Sequence, residues 1–356
     1  MKETPGMVTI GIDAHKRSHT VIIVDEQGRK LATRTVGTTT ADHLSLLSWA
    51  KQHADEIVWA VEDCRHLSRR LERDLLAAGE IIVRVPPKLM ANMRDSARSF
   101  GKSDPIDALA VARAALREPD LPVARLDGPE REVRLLVDHR EDLVGERTRM
   151  ISRLRWHLHE LDPGNEPALR TLNHPRNLDR LAERLAGVEG TVARIARDLV
   201  DRCRTLTTEI NQFEREITAL VEKLAPALLA MCGCGALTAA KILAETAGIE
   251  RFKSSDAYAR HNGSAPLPVW SSNRSRHRLI RSGNRQLNAA LHRIALTQAR
   301  LHPGARALLA RRRANGDGGL EALRVLKRRL SDVVYRALLA DAHAATATYT
   351  RNLTVP

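Results

Sequence analysis

Apolar residues in the first third of the chain come in short runs that alternate with charged turns. VTIGIDA (8–14) and HTVIIVD (19–25) each end in or near an acid, and RKLATRTVG (29–37) alternates as a third strand should. Glu26-Gln27-Gly28 supplies the turn before it. A helix is expected over 41–52. A buried strand, EIVWAVED (56–63), comes next, then a helix over 66–78. IIVRVP (81–86) is a fifth strand, closed by Pro86-Pro87. From about residue 130 the period changes from two to steps of three and four. Leu136, Leu143, Met150, Leu154 and Leu161 form one stripe. Val192, Ile195, Leu199, Cys203, Leu206, Ile210, Phe213, Ile217, Leu220 and Leu224 form a second. DPGNEP (162–167) and LNHPRN (172–177) interrupt between them, which predicts an antiparallel helical hairpin. The second seam is longer than a spacer needs, so it is also expected to pair subunits. Residues 228–340 read as helical around one irregular basic loop, 262–284, and 341–356 has no strong pattern and is expected to be disordered.

Three hairpin-linked strands followed by strand, helix, strand and helix is the order of a ribonuclease-H-like α/β domain. The fold class is therefore α/β plus α. The expected domains are 1–125 (the α/β domain), 126–227 (a coiled-coil helical linker), 228–340 (a mainly helical domain) and the tail 341–356.

Charge adds a partner to this picture. The 356-residue chain carries 57 Lys and Arg against 43 Asp and Glu, a net charge of +14. The excess is concentrated: residues 253–313 hold 13 basic residues and one acid, Asp256. A solvated helix face explains such a run poorly, because +12 over about sixty residues repels itself unless a polyanion is near. Nucleic acid is the expected partner. Four cysteines, with Cys232-Gly-Cys234 lacking a second pair, fit a reduced protein without a zinc site. MKETPGMVTIGIDAHK (1–16) lacks the apolar core of a signal peptide, and no apolar run reaches membrane-spanning length. The expected setting is the cytosol, with no membrane partner.

The acids are where chemistry is expected. Asp13 ends the first strand and Glu62 the fourth, and these two strands are neighbours in a ribonuclease-H-like sheet. Asp104 and Asp107 lie three apart astride Pro105, at the start of a helix. Taken alone, that spacing is a capping box, with Asp104 as cap and Pro105 at the first helical position. Taken with the two strand-end acids, it is a pair of ligands projecting from one turn. Four converging carboxylates are what a hard divalent cation such as Mg²⁺ requires, and without one they repel. Two such ions could clamp the attacking and leaving oxygens of a phosphodiester.

The basic loop holds Ser271 and Ser272 between Trp270 and Asn273, followed by Arg274, Arg276, His277, Arg278 and Arg281. A serine among arginines is either a nucleophile whose phosphorane the guanidiniums stabilise or an ordinary phosphate-binding loop. The residues alone do not choose between them. MCGCGALTAAKILAE (231–245) has the glycines of a helix-hairpin-helix phosphate grip, though a capping turn explains them almost as well.

In their order, GIDAHK (11–16), VED (61–63), GKSDPIDALAVARAAL (101–116) and SSNRSRHRLIRSGNRQLNAALHRIA (271–295) resemble the insertion sequence 110 family of transposases, the DEDD transposases. The resemblance spans nearly the whole chain. It implies a RuvC-like N-terminal domain, a coiled-coil linker and a C-terminal transposase domain with a catalytic serine. It also implies guidance by a structured bridge RNA that pairs with target and donor DNA. The four acids fall on Asp13, Glu62, Asp104 and Asp107. The family's Gly-Asn-Arg triplet falls on Gly283-Asn284-Arg285. Counting without a gap places the serine at Ser271, with Ser272 where the family usually has glycine; a one-residue gap selects Ser272 instead.

The expectation is thus a Mg²⁺-dependent, RNA-guided DNA transposase. Ser271 forms a covalent phosphoserine, the four acids bind metal, and Arg274, Arg276, Arg278, Arg281 and Arg285 bind phosphate. The protein is expected to be a dimer that assembles to a tetramer on nucleic acid. The alternatives are a metal-dependent, junction-resolving nuclease of RuvC type with no covalent step, or a non-catalytic nucleic-acid-binding relic.

Overall fold

The computed structural model describes residues 7–62, 67–87, 89–90, 93, 103–118, 121, 123–124, 128–271, 274–279 and 283–353. The chain divides into two compact units, Met1–Asp127 with Arg251–Ala257, and Gly128–Glu250 with Tyr258–Pro356.

The first unit is built on β1 (Met7–Ala14), β2 (His19–Val24), β3 (Lys30–Val36), β4 (Glu56–Glu62) and β5 (Ile81–Val85), in the order β3-β2-β1-β4-β5. β1, β2 and β3 pair antiparallel, while β4 and β5 join parallel to β1. This is the ribonuclease-H-like sheet the element order predicts. Its helices include α1 (Thr40–Ala50), α2 (Arg69–Ala77) and α3 (Asp104–Arg117). Thr39 and Asp42 close a reciprocal capping box that starts α1.

Alternation along β1 gives the sheet two different faces. Ile10 and Ile12 join Val21, Ile23, Trp59 and Val61 in a core covered by Leu46 and Leu47 of α1 and Leu71 and Leu75 of α2. The other face meets α3: Ile22 and Val24 pack on Ala108 and Ala112, and Ala60 and Val85 on Ala110, Val111 and Ala114. Gly11 and Asp13 fall on this second face, and so does Glu62, two residues beyond Ala60.

The second unit opens with α4 (Pro129–Leu161), α5 (Pro175–Ala186) and α6 (Thr191–Leu224). Arg140 donates to Glu214 at 2.6 Å and Arg147 to Thr207 at 3.1 Å, while Leu154 shares a core with Val200. Numbers rise on one helix as they fall on the other, so α4 and α6 are antiparallel. The long seam is used inside the chain. Leu199, Cys203 and Leu206 pack with Met150, Leu154 and Leu158 of α4 and with Leu178, Leu181 and Leu185 of α5. Ile210 and Ile217 are 2% and 0% exposed in the single chain. The length of the seam is therefore no ground for pairing subunits; three helices of one chain consume it. On α4 the buried positions are Val133, Val137, Met150, Leu154 and Leu158, with Leu136 and Leu143 only half-buried.

α7 (Pro226–Leu229), α8 (Ala236–Thr246), α9 (Ser255–His261), α10 (Arg285–Leu301), α11 (Pro303–Ala314) and α12 (Gly319–Leu353) follow. Within the segment expected to be irregular, β6 (Pro266–Ser271) and β7 (Arg274–Leu279) form an antiparallel two-stranded ribbon. Its two prolines, 266 and 268, occupy alternate positions, so both missing N–H groups fall on one side of β6 and the ladder survives. The tail is also more ordered than its lack of pattern implied. α12 runs through it to Leu353, favoured by Ala342, Ala344, Ala345 and Ala347. Among the described residues, no helix is long and apolar enough to cross a membrane.

Candidate active site

The acid end of the sheet is assembled by backbone register. Asp13 sits opposite Thr20 on β2 and one residue past the last β1–β4 pair, Ile12 with Val61. Glu62 ends β4 beside it, half-buried. The sheet alone therefore brings two of the expected acids to adjacent strand ends.

α3 delivers the other two, and Gly11 is the reason it can. A Cβ at residue 11 would lie 2.1 Å from the Ala108 carbonyl oxygen and 2.5 Å from the Ala112 nitrogen. The helix backbone thus rests on the strand backbone, with alanines as its contact residues. Asp104 precedes Ala108 by one turn and Asp107 is its neighbour, so docking at Gly11 carries both acids to the level of Asp13. Ser103 is the N-cap residue and makes no side-chain capping bond. Asp107 then lies one position too far along to close a capping box, and its backbone N–H bonds to the Ser103 carbonyl at 3.0 Å. The two acids are not a cap. Their place in the first turn is favourable on its own account, since the N-terminal end of a helix dipole attracts negative charge.

Asp13 is 5% exposed and Asp107 is 6% exposed, whereas Asp104 is open to solvent. Burial pushes the Asp13 carboxyl above the usual carboxylate range; the neighbouring charges of Asp107 and Asp104 push the same way, and His15 opposes them. The His15 Nε2 lies 3.1 Å from Asp13 Oδ2 and 3.4 Å from Asp104 Oδ1. Asp13, His15 and Asp104 each offer a ligand atom within 4.8 Å of the others. This is a possible cation site, and its donors fit a divalent ion, since oxygen-rich carboxylates held this close favour a hard cation between them. His15 was not singled out by the sequence reading. It lies two residues after Asp13 and one past the end of β1, where no local pattern marks it.

The serine belongs to the other unit. Ser271 is the last paired residue of β6, opposite Arg274, and Arg276 and Arg278 lie on β7 opposite Val269 and Leu267. Ser272 and Arg281 lie outside the described residues. Arg285 begins α10 and is exposed. Asn284 caps that helix, accepting from the N–H groups of Gln286 at 2.9 Å and Leu287 at 3.0 Å.

A transposase model of the DEDD IS110 type matches residues 10–163, which include all four acids. The model of the transposase IS116/IS110/IS902 family matches residues 225–310, which include the ribbon and the Gly283-Asn284-Arg285 triplet. The 44.8 kDa protein of insertion element IS116 from Streptomyces clavuligerus is 29% identical over 94% of this chain and 95% of its own. The 42 kDa protein of insertion element IS900 from Mycobacterium paratuberculosis is 28% identical over 96% and 98%. Among solved structures, Thermus thermophilus RuvC in complex with a Holliday junction substrate shares 16% identity over 33% of this chain and 99% of its own, with a TM-score of 0.26. The fold assignment rests on the strand order rather than on that likeness. Two models of one family, matched in order over residues 10–163 and 225–310, place the chain in the IS116/IS110/IS902 family of transposases, enzymes that cut and rejoin DNA.

Proposed function

We propose that the transposase acts through a covalent phosphoserine on Ser271, uses Mg²⁺ held by its acids, and is directed to DNA by a structured bridge RNA that pairs with target and donor. The observation that carries this reading is the convergence of Asp13 and Asp104, with Asp107, at one end of the sheet. Carboxylates crowded this way have little sense as packing. Asp13, Glu62, Asp104 and Asp107 would hold the ion, with His15 beside them. When bound, Mg²⁺ supplies positive charge against the phosphorane and the leaving oxygen.

In the cleavage step the Ser271 hydroxyl loses its proton as its oxygen forms a bond to phosphorus. The bond from phosphorus to the 3′ oxygen breaks, and that oxygen gains a proton. The phosphoserine conserves the energy of the diester, so a 3′-hydroxyl from another strand can displace the serine and rejoin DNA. Arg274, Arg276, Arg278, Arg281 and Arg285 bind phosphate. The +12 segment from 253 to 313 supports a polyanionic partner larger than one DNA site, and the family resemblance supports a guide RNA. Exchange between two DNA molecules needs four cleavages, one per serine, so the working assembly is a tetramer formed from two dimers. Acids of one subunit act with the serine of another. The reaction takes place in the bacterial cytoplasm, at the nucleoid.

The test is to trap a denaturation-resistant protein–DNA adduct and map the modified peptide. Phosphate on Ser271, lost in Ser271→Ala and retained in Ser272→Ala, is the expected result. Cleavage with no adduct under any condition would instead identify a hydrolytic, junction-resolving reaction with metal-activated water. A mixture of Asp13→Asn and Ser271→Ala chains should recover part of the activity, and a discrete RNA should co-purify.

A further inference from the structure

The ribbon β6–β7 is held at its base by a buried polar network to which the proposed reaction gives no role. At the outgoing end, Gly283 lies against the incoming backbone; a Cβ there would be 2.4 Å from both the Cα and the nitrogen of Gly263. The Asn284 N–H donates to the His261 carbonyl at 2.6 Å. The Asn284 side chain works twice, accepting from the first turn of α10 and donating through Nδ2 to Glu245 Oε2 of α8 at 2.7 Å. At the incoming end, Asn262 is fully buried, donates to Ser331 Oγ of α12 at 2.8 Å, and lends its carbonyl to Asn288 of α10 at 2.9 Å.

Glu245, 4% exposed, is itself fixed. Lys241, one turn earlier and 2% exposed, places its Nζ 4.0 Å from Glu245 Oε1, 2.7 Å from Glu141 Oε2 and 3.6 Å from Asp138 Oδ1 of α4. A continuous polar path therefore runs from α4 through Lys241 and Glu245 to Asn284, five residues beyond the end of β7. A buried charge is retained at such a cost only where its partners are fixed in geometry.

We propose that Asn284, oriented by Glu245 and through it by Lys241, is a positioning residue that sets the aim of the ribbon and hence of the serine near its tip. Ser271 is five residues from the paired base at Pro266, about 17 Å at about 3.4 Å per residue. A lever of that length turns a tilt of about 10° at the base into about 3 Å at the tip. Misplacement of a reacting group by about 1 Å costs on the order of 10²-fold in rate. One side chain that caps α10 and grips α8 together removes that tilt. The network accounts for the first two residues of the Gly283-Asn284-Arg285 triplet, which the phosphate-binding role of Arg285 leaves unexplained. The part of the inference that concerns rate rests on Ser271 as nucleophile; the part that concerns the ribbon does not.

The experiment uses the full-length protein with its RNA and DNA substrate, as wild type, Asn284→Asp, Glu245→Gln and the double variant. Asn284→Asp keeps an oxygen for the helix cap but turns the donor facing Glu245 into a carboxylate. The double variant restores one donor and one acceptor with their direction reversed. Asn284→Asp should slow adduct formation about 100-fold with DNA affinity changed less than about two-fold, and the double variant should regain at least about ten-fold. Backbone amides of Arg274–Leu279 should exchange hydrogen at least about ten-fold faster in Asn284→Asp and return toward wild type in the double variant. Glu245→Gln, which keeps an acceptor, should stay close to wild type. If Asn284→Asp does not fold, Asn284→Ser keeps the cap without reaching Glu245 and carries the same expectations. If the wild type makes no serine adduct, the nucleophile assignment fails and the exchange rates alone decide the positioning role. Wild-type exchange in Asn284→Asp, or an equal loss in the single and double variants, overturns it.

Discussion

At the acid end of the sheet, Asp13 and Glu62 are placed by strand register, and α3 is placed by backbone resting on backbone at Gly11. At the base of the ribbon, by contrast, the holding groups are side chains from four helices, Lys241 and Glu245 of α8, Asn288 of α10, Ser331 of α12 and the acids of α4. The first arrangement puts like charges close together and leaves a cation to reconcile them. The second pairs the buried Lys241 with the carboxylates of Glu141, Asp138 and Glu245. A site made from backbone tolerates electrostatic strain because its geometry does not depend on the charges. A site aimed by a side-chain network depends on its charges being paired.

The largest effect should come from breaking the backbone contact. Gly11→Val puts a branched side chain where even a Cβ lies 2.1 Å from a carbonyl oxygen. The expected cost is about 3 kcal/mol or more, with loss of soluble protein or a clear fall in melting temperature. A variant with wild-type melting and activity would remove Gly11 from the account. Ile210→Asp and Ile217→Asp come next. Both side chains are covered within the chain, so denaturation should show destabilisation by about 3 kcal/mol or more. A stable, folded monomer released from a dimer would show instead that the seam pairs subunits.

Asp13→Asn should separate charge from shape. Activity should fall by at least about 10³-fold, consistent with loss of a ligand that stabilises transition-state charge. The metal-free protein should become more stable at neutral pH. The sign follows from burial, which raises the Asp13 carboxyl above its unfolded value, with Asp107 and Asp104 adding to it. The folded state then binds the proton more tightly, so ionised Asp13 costs stability above its folded pKa and costs nothing below its unfolded value. The gain from Asp13→Asn should therefore vanish as pH falls through the acid range, and melting curves across that range check it. A smaller effect separates the thiols of the second unit. Burial pushes Cys234 up to about 12 and Cys203 up to about 11, whereas Cys232 is exposed. Among these three, a thiol reagent at neutral pH should label Cys232 alone in the folded protein, as peptide mass mapping would show.

The same contrast explains what the sequence disclosed. The five strands were readable because each is a local run with a local turn, and the acids because they end those runs. His15 was missed since nothing in a single histidine after a strand marks it until the position of Asp104 is known. The α6 seam showed its period but not its partner; α4, α5 or a second chain satisfies the same steps of three and four. The ribbon hid behind prolines that look like breakers until their alternate spacing is set against a partner strand. Lys241, Glu245 and Asn284 were out of reach altogether. Their meaning lies in contacts spanning from 39 residues between Asn284 and Glu245 to 100 between Lys241 and Glu141.

The central claim is that the acids of one unit and the serine of the other serve one reaction. Adduct yield measured against Mg²⁺ concentration, with wild-type protein, RNA and DNA, tests it most directly. The account predicts no adduct in EDTA, recovery on adding Mg²⁺, and no recovery at any Mg²⁺ concentration in Asp13→Asn. Full adduct formation in EDTA would contradict it.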